Sequence, residues 1–267
     1  MEEASNRQLI LGAIIGDIIG SVFEWNNVKT TDFQLFTERT DYTDDSVLTF
    51  ATMDSVLNGI DYTTAYQTYG RKYPNRGYGG YFNSWIRAEH PKPYNSYGNG
   101  SAMRVSPVGW AYDTLEEVLH QAKRSAEVTH DHPEGIKGAQ ATAAAIFMAR
   151  NGSSKANIKQ YVQDAFGYDL ERRIDDIRPI YKFNETCQET VPEAIIAFLE
   201  SKDYESAIRL AISIGGDSDT VACITGGIAE AFYKEIPEWI VENALRLLPV
   251  DVIKMIEEFS LKYRRFK

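Results

Sequence analysis

The sequence predicts an all-α, single-domain orthogonal helical bundle, and three observations carry that prediction. Long apolar runs recur with helical spacing and are closed by glycine, proline or Asn-Gly. Alternating β-branched runs, from which strands would form, are scarce. No repeat period and no linker divides the 267 residues, which suffice for one large domain.

The first helical run covers residues 7–25. Gly12, Gly16 and Gly20 recur there at every fourth position. On a helix they make a smooth stripe that a second helix can approach closely. Each glycine costs about 1 kcal/mol of helix propensity against alanine, so three together imply a packing or site reason. Asp17 and Glu24 are seven residues apart, hence within about 20° of each other around a helix. An acid among isoleucines needs a partner when buried. One reading pairs Asp17 with an arginine or a backbone turn. The other aims Glu24, at the helix end, into a metal site with Asp17 supporting it.

The stretch Tyr42-Thr43-Asp44-Asp45-Ser46 precedes a second helical run, residues 47–57, closed by Asn58-Gly59. Residues 60–100 are expected to be irregular around a short helical piece near 82–88; loops of that length in a compact domain are often functional. The run Ser96-Tyr97-Gly98-Asn99-Gly100 then opens a helix, and its backbone N–H groups suit a phosphate. An amphipathic helix is expected over 114–127. Pro133 suits the first turn of another, which continues as the alanine-rich 138–150. Between them, His130 and His132 lack a third soft ligand, so zinc has thin support, and a hydrogen-bonding role at a site mouth is the better reading. Helices follow at 156–166 and at 189–200, the second with Pro192 in its first turn. The charged span 168–187 between them is expected to cover a surface. Residues 203–214 lead into the key turn. Pro237 and Pro249 bracket a helix, and 250–265 form a last one ending in a solvated basic tail.

The key turn is Gly215-Gly216-Asp217-Ser218-Asp219-Thr220, set between apolar runs 207–214 and 221–233. Read alone, it is a helix N-terminus capped by Asp219 or Thr220. Read with Thr43, Asp44 and Asp45, it offers four carboxylates and two threonine oxygens to one point. Burying each unpaired charge costs several kcal/mol. Two divalent cations would balance the set, and hard oxygen ligands favour magnesium, manganese or calcium over zinc.

Composition narrows the classes. Apolar content of 43% and charged content of 25% suit a globule in water. No apolar run approaches the ~20 residues needed to span a membrane. Met1-Glu2-Glu3 lacks the basic start of a secretory signal. Cys187 and Cys223 lie far apart, which does not suggest a disulfide framework. The expectation is a cytoplasmic, reduced protein. A formal net charge of −10 argues against nucleic-acid wrapping. An anionic substrate would then need metal, arginine or helix N-termini.

Taken together, these stretches resemble the ADP-ribosylglycohydrolase family, relatives of the dinitrogenase reductase-activating glycohydrolase. Five segments carry the resemblance in order: Gly12-x-x-x-Gly16-Asp17-x-x-Gly20 with Glu24; Thr43-Asp44-Asp45-Ser46; Gly98-Asn99-Gly100-x-x-Met103-Arg104; Thr129-His130-x-x-Pro133 with Gly138; and the turn 215–220. The resemblance implies an all-α fold with two Mg2+ or Mn2+ ions in a central cleft. It implies metal ligation by Thr43, Asp44, Asp45, Asp217, Asp219 and Thr220, and catalytic roles for Glu24, a flexible metal ligand, and Asp45. It further implies that Ser96, Tyr97, Gly98, Asn99 and Gly100 hold the ribose and diphosphate and that His130 contacts substrate. The implied partner is an ADP-ribosylated protein or small molecule, with ADP-ribose as product and a monomeric enzyme. Two features depart from the family's pattern. Ser46 stands where a threonine is usual, and residues 62–88 contain no Asp or Glu, where arginine-directed bacterial relatives carry an aspartate. The run 96–100 looks like the branch that cleaves serine-linked ADP-ribose. Two other classes compete: a binuclear-metal phosphohydrolase of nucleotides, which would release phosphate, and a non-enzymatic binding or structural descendant, which would show a lost aspartate or an occluded cleft.

Overall fold

The computed structural model describes residues 9–264, and among them the secondary structure is helical. The helices are α1 (Leu11–Gly20), α2 (Asp44–Asn58), α3 (Tyr62–Lys72), α4 (Gly80–Arg87), α5 (Gly100–Met103), α6 (Ser106–Ala111), α7 (Leu115–Glu127) and α8 (Pro133–Arg150). They continue as α9 (Lys155–Phe166), α10 (Ile174–Ile177), α11 (Cys187–Glu200), α12 (Tyr204–Ser213), α13 (Ser218–Tyr233), α14 (Glu238–Leu245) and α15 (Val250–Tyr263). One isolated antiparallel bridge, Gly98 to Thr186, is the β-type pairing among the described residues.

Local chemistry sets most helix ends. Thr114 and Ser154 accept side-chain cap bonds from Glu117 N and Asn157 N. Gly59 closes α2 in the left-handed region at φ 71°. The region 60–100 is less irregular than its composition suggests, because Asp61 caps α3 through Thr64 N. That helix is rich in Tyr and Thr, so propensity hides it and the cap with its buried face, Tyr62, Ala65, Tyr66 and Gly70, makes it. Helix α11 begins at Cys187, earlier than expected, which puts Pro192 inside it rather than in its first turn. The cause is tertiary: Cys187 N donates to Tyr97 O at 2.9 Å and draws the helix start back onto the 96–100 run.

Helix α13 is the hub. It is buried from Ser218 through Ala231 and packs against α1, α8, α11 and α12. A helix apolar all round belongs in a core, and α1 is likewise buried along its whole length. The two meet backbone to backbone through the glycine stripe. A methyl group placed on Gly12 would lie 2.3 Å from Gly226 O, on Gly16 2.1 Å from Ala222 O, and on Gly20 2.4 Å from Asp219 Cα. Gly226 answers from the other side, where a methyl would lie 2.1 Å from Gly12 O. Tyr204 Oη donates to Gly12 O at 2.7 Å, and Gly12 N donates to Glu230 Oε2 at 2.8 Å, locking the register.

The contact predicts a steep packing penalty. Gly16→Ala is expected to lower unfolding free energy by about 3 kcal/mol, the upper end of ordinary overpacking costs, because backbone and not a flexible side chain would have to move. Gly80→Ala, where nothing lies within 4 Å of the added methyl, is expected to be neutral. Urea denaturation of both variants checks this; equal stability would show that the α1–α13 contact yields easily.

Candidate metal centre and its cleft

Asp17 projects from α1 and is completely buried. Its Oδ2 accepts from Thr43 N at 3.0 Å, from Ser46 N at 3.1 Å and from the Ser46 hydroxyl. Its Oδ1 accepts from Thr43 Oγ1 at 2.5 Å. Of the two partners that the first reading offered Asp17, it takes the backbone turn and not an arginine. That turn is the one carrying Asp44 and Asp45. Burial pushes the Asp17 carboxyl up, and the Ser46 and Thr43 hydrogen bonds oppose the shift.

On the opposite side, Gly215 and Gly216 adopt φ of 75° and 76°, a conformation that a Cβ makes costly. Asn27 clasps the turn: its Nδ2 donates to Gly216 O at 2.9 Å while its Oδ1 accepts from Gly216 N at 2.7 Å. Neither Asp219 nor Thr220 caps α13. The N-cap position is Asp217, and its side chain makes no cap bond. It accepts instead from Asn99 Nδ2 at 2.7 Å, so the carboxylate faces a cleft rather than its own helix. Asp219 Oδ1 accepts from Thr220 N at 3.0 Å, and Thr220 Oγ1 lies 3.9 Å from Met103 Sδ.

The two turns converge. Single carboxylate oxygens of Asp17, Asp45 and Asp219 lie within 4.8 Å of one another, and so do those of Glu24, Asp217 and Asp219. Asp219 joins the trios. Asp44 lies in neither but lines the same cleft, with Asp45, Asp217, Asp219, Thr220 and Glu24. Thr43 does not line it, since its hydroxyl is turned to Asp17. Glu24 arrives by a route different from the one its spacing suggested. Helix α1 stops at Gly20, and Phe23 N bonds back to Gly20 O at 2.8 Å, so Glu24 sits in a bend and not on a continued helix. Its register with Asp17 therefore carries no meaning.

Burial and mutual repulsion raise every acid here. The Asp44, Asp45 and Asp219 carboxyls stand well above the usual range, first from desolvation and then from their acidic neighbours. Asp217 is pushed up to about 6 and Glu24 to about 8, Glu24 by desolvation and then by Asp219, Glu185 and Asp17. Asp45 Oδ1 is buried without a hydrogen-bond partner. Ion pairs among the described residues lie elsewhere, as at Arg76–Asp41 and Arg172–Glu193. Hard oxygen donors pressed together, one of them orphaned, with no ammonium or guanidinium paired to them, fit divalent cations.

The opposite wall of the cleft comes from Ser96, Gly98, Asn99, Gly100 and His130. Tyr97 is not part of it: the ring is 49% exposed and packs edge-on against His132 at 5.3 Å. Of the N–H groups expected to meet a phosphate, those of Gly98 and Asn99 are already engaged, by Ser96 Oγ at 3.1 Å and Glu185 O at 2.7 Å. His130 is buried and its pKa is held well below the usual value by desolvation and by Arg104, so the ring is neutral. Neither histidine belongs to the acidic trios; His132 caps α8 by accepting from Glu134 N.

Further contributors escaped sequence reading. Glu185 lines the cleft from the span 168–187, which was expected only to cover a surface. Asn27 and Lys29 hold the Glu24 loop, Lys29 by donating to Tyr181 O at 2.8 Å and to Ile214 O. No motif marks them, because their partners are distant backbone atoms. Trp25, 74% exposed, stacks on Phe183 at 5.0 Å and joins the same two segments. Both cysteines are buried and free, and no helix among the described residues is long and apolar enough to cross a membrane.

Comparison with known proteins gives the chain's family. The ADP-ribosylglycohydrolase family model matches residues 4–264. The chain is 28% identical to ADP-ribosylhydrolase ARH3 of Homo sapiens over 315 residues, covering 87% of this chain and 86% of that protein. It is 27% identical to ADP-ribosylhydrolase ARH3 of Gallus gallus over 319 residues, covering 87% of each. A solved structure titled ADP-ribosylglycohydrolase-related protein complex superposes with a TM-score of 0.72 at 24% identity, covering 95% of this chain and 96% of that one; at that identity it speaks for the all-α fold alone. With a family match across nearly its whole length, the chain belongs to the ADP-ribosylglycohydrolase family.

Proposed function

We propose that this protein hydrolyses the glycosidic bond between C1 of the ribose in ADP-ribose and an acceptor, releasing ADP-ribose. The observation that carries the reading is the gathering of Glu24, Asp44, Asp45, Asp217 and Asp219 opposite the Gly98-Asn99-Gly100 wall of one cleft. Two Mg2+ or Mn2+ ions would be held by Asp44, Asp45, Asp217, Asp219 and Thr220, with Glu24 at the edge and Thr43 behind. When bound, such ions supply Lewis acidity and hold ribose hydroxyls.

The chain's own groups do the rest. Glu24, at the cleft edge beside Asp217 and Asp219, is the carboxyl placed to protonate a leaving atom and then to take a proton from water. Asn27 and Lys29 hold its loop against the Gly215-Gly216 turn, which keeps it beside Asp219. Asn99 holds Asp217 and thereby ties the acidic side to the ligand wall. His130, neutral, contributes a hydrogen bond without adding charge.

The serine-type O-linkage is the preferred acceptor. Gly77, Gly79, Gly80, Tyr81 and Phe82 bring no charge to the cleft, so that wall has nothing to pair with a guanidinium. Glu185 is the observation that favours the arginine N-linkage as a second reading, since it faces the cleft from elsewhere. A panel of serine-linked and arginine-linked ADP-ribosyl peptides, assayed with and without EDTA, tests both. Release of ADP-ribose from serine alone is expected; release from arginine alone assigns the pairing role to Glu185, and phosphate release instead of ADP-ribose removes the proposal.

Asp45→Ala and Asp219→Ala are each expected to abolish turnover and weaken Mg2+ binding while circular dichroism stays helical. Unchanged hydrolysis in either would remove the metal assignment. Glu24→Gln is expected to fold normally and to lower kcat by roughly 10²–10⁴-fold; full activity would make Glu24 a bystander.

The raised carboxyls also set a pH dependence. A group whose pKa is higher folded than unfolded stabilises the fold below its unfolded pKa and loses that contribution as pH rises through the folded one. For Asp217 and Glu24 the loss runs from about 4 upward, through about 6 and about 8 respectively. In EDTA the Tm is therefore expected to fall between pH 5 and pH 8. Added Mg2+ should raise Tm more at pH 8 than at pH 5, because protons compete with the ion. Differential scanning calorimetry at the two pH values reads both; an equal Mg2+ shift would show that the acids do not bind it.

A further inference from the structure

Arg104 is among the largest fully buried side chains, yet none of the ion pairs of the described residues includes it. Aromatic faces meet its charge: the guanidinium carbon lies 4.1 Å from the Tyr66 ring centroid and 6.0 Å from that of Phe82. Its Nη2 donates to Ser125 O at 2.8 Å and to Thr129 Oγ1 at 2.8 Å. Thr129 Oγ1 in turn lies 2.7 Å from His130 Nδ1.

The direction of these bonds follows from what each group is able to do. A guanidinium only donates, so Thr129 Oγ1 is the acceptor from Arg104. The hydroxyl has one hydrogen to give and two candidate acceptors, Ala126 O at 3.5 Å and His130 Nδ1 at 2.7 Å. Were Nδ1 the donor, the hydroxyl hydrogen would be left to the long, weak contact with Ala126 O, so the hydroxyl gives it to Nδ1. A cation drawing on the same oxygen also strengthens its O–H as a donor. Nδ1 is then an acceptor, and in a neutral imidazole the proton must sit on Nε2. That end of the ring faces the ligand wall: a methyl group on Gly98 or Gly100 would lie 3.5 Å or 3.1 Å from Nε2.

We propose that Arg104 is a positioning residue which, through Thr129, holds His130 as the Nε2–H tautomer, so that a neutral donor faces a ligand oxygen in the cleft. Burial and the nearby guanidinium both disfavour a second proton on the ring, in keeping with its lowered pKa. The inference deepens the proposed hydrolase reading, since His130 lines the same cleft, but the tautomer belongs to the ligand-free chain and is measured without any substrate.

The test is a long-range ¹H–¹⁵N spectrum of histidine-labelled, ligand-free protein at neutral pH, with His130→Gln to assign the signal. A protonated Nε2 and a bare Nδ1 are expected in the wild type and in Thr129→Ser. Thr129→Val, which keeps the shape and removes the hydroxyl, is expected to give a mixed tautomer and to raise KM about tenfold with a smaller change in kcat. A wild-type His130 protonated on Nδ1 would overturn the proposal, as would a Thr129→Val spectrum identical to the wild type. Should Thr129→Val fail to fold, the wild-type spectrum decides by itself. If the tautomer is as stated and no ADP-ribosyl substrate is cleaved, the hydrolase reading fails and this one stands.

Discussion

The fold depends on one contact, the backbone-to-backbone approach of α1 and α13. Glycines on both helices allow carbonyl oxygens to sit where side chains would otherwise intervene. The approach does more than fill space. It sets the register that puts Asp17 beside Asp219, although the two are about two hundred residues apart in sequence. Helices separated by leucine-sized side chains lie 8–10 Å apart. At that spacing the acids of the two turns would not share one point.

Given that register, the chain faces an electrostatic cost that its own side chains do not offset. Burial and like-charge repulsion act in the same direction on Asp44, Asp45 and Asp219. Asp217 sits at a helix N-terminus, where a carboxylate ordinarily caps, and bonds to Asn99 instead. Asp17 behaves in the opposite way: its hydrogen bonds all go inward, to the turn that presents Asp44 and Asp45. One acid is fully used as a scaffold so that the others stay available. That division separates a site from a mere excess of charge.

The ligand wall is assembled with the same economy. The run 96–100 is not a free loop; it bridges to Thr186, accepts the first N–H of α11 and donates to Glu185 O. Behind it, Arg104 and Thr129 brace His130. In front, the Glu24 loop is held by Asn27, Lys29 and the Trp25–Phe183 stack. Segments from the first, middle and last thirds of the chain thus hold one another through bonds to main-chain atoms and a ring stack, which explains why a connection as long as that from α1 to α2 stays in place without regular structure.

How much of this was legible beforehand differs by type of residue. The helical character, the glycine stripe and the acidic turns were readable, because periodicity, propensity and ligand chemistry are local properties of a sequence. Helix α3 was not, since a polar cap and four buried positions outweigh its poor propensity only once neighbours are present. The start of α11 moved because its first N–H donates to the Tyr97 carbonyl, and Glu24 left its expected helix because the chain turns at Gly20. Asn27, Lys29 and Glu185 carry no motif; their partners are main-chain atoms that come near only after folding. Sequence by itself therefore determined which side chains have the right atoms for the chemistry. Tertiary structure alone decided which of them meet, which are consumed as supports, and which remain open to a ligand, because distance and desolvation exist only in the packed chain.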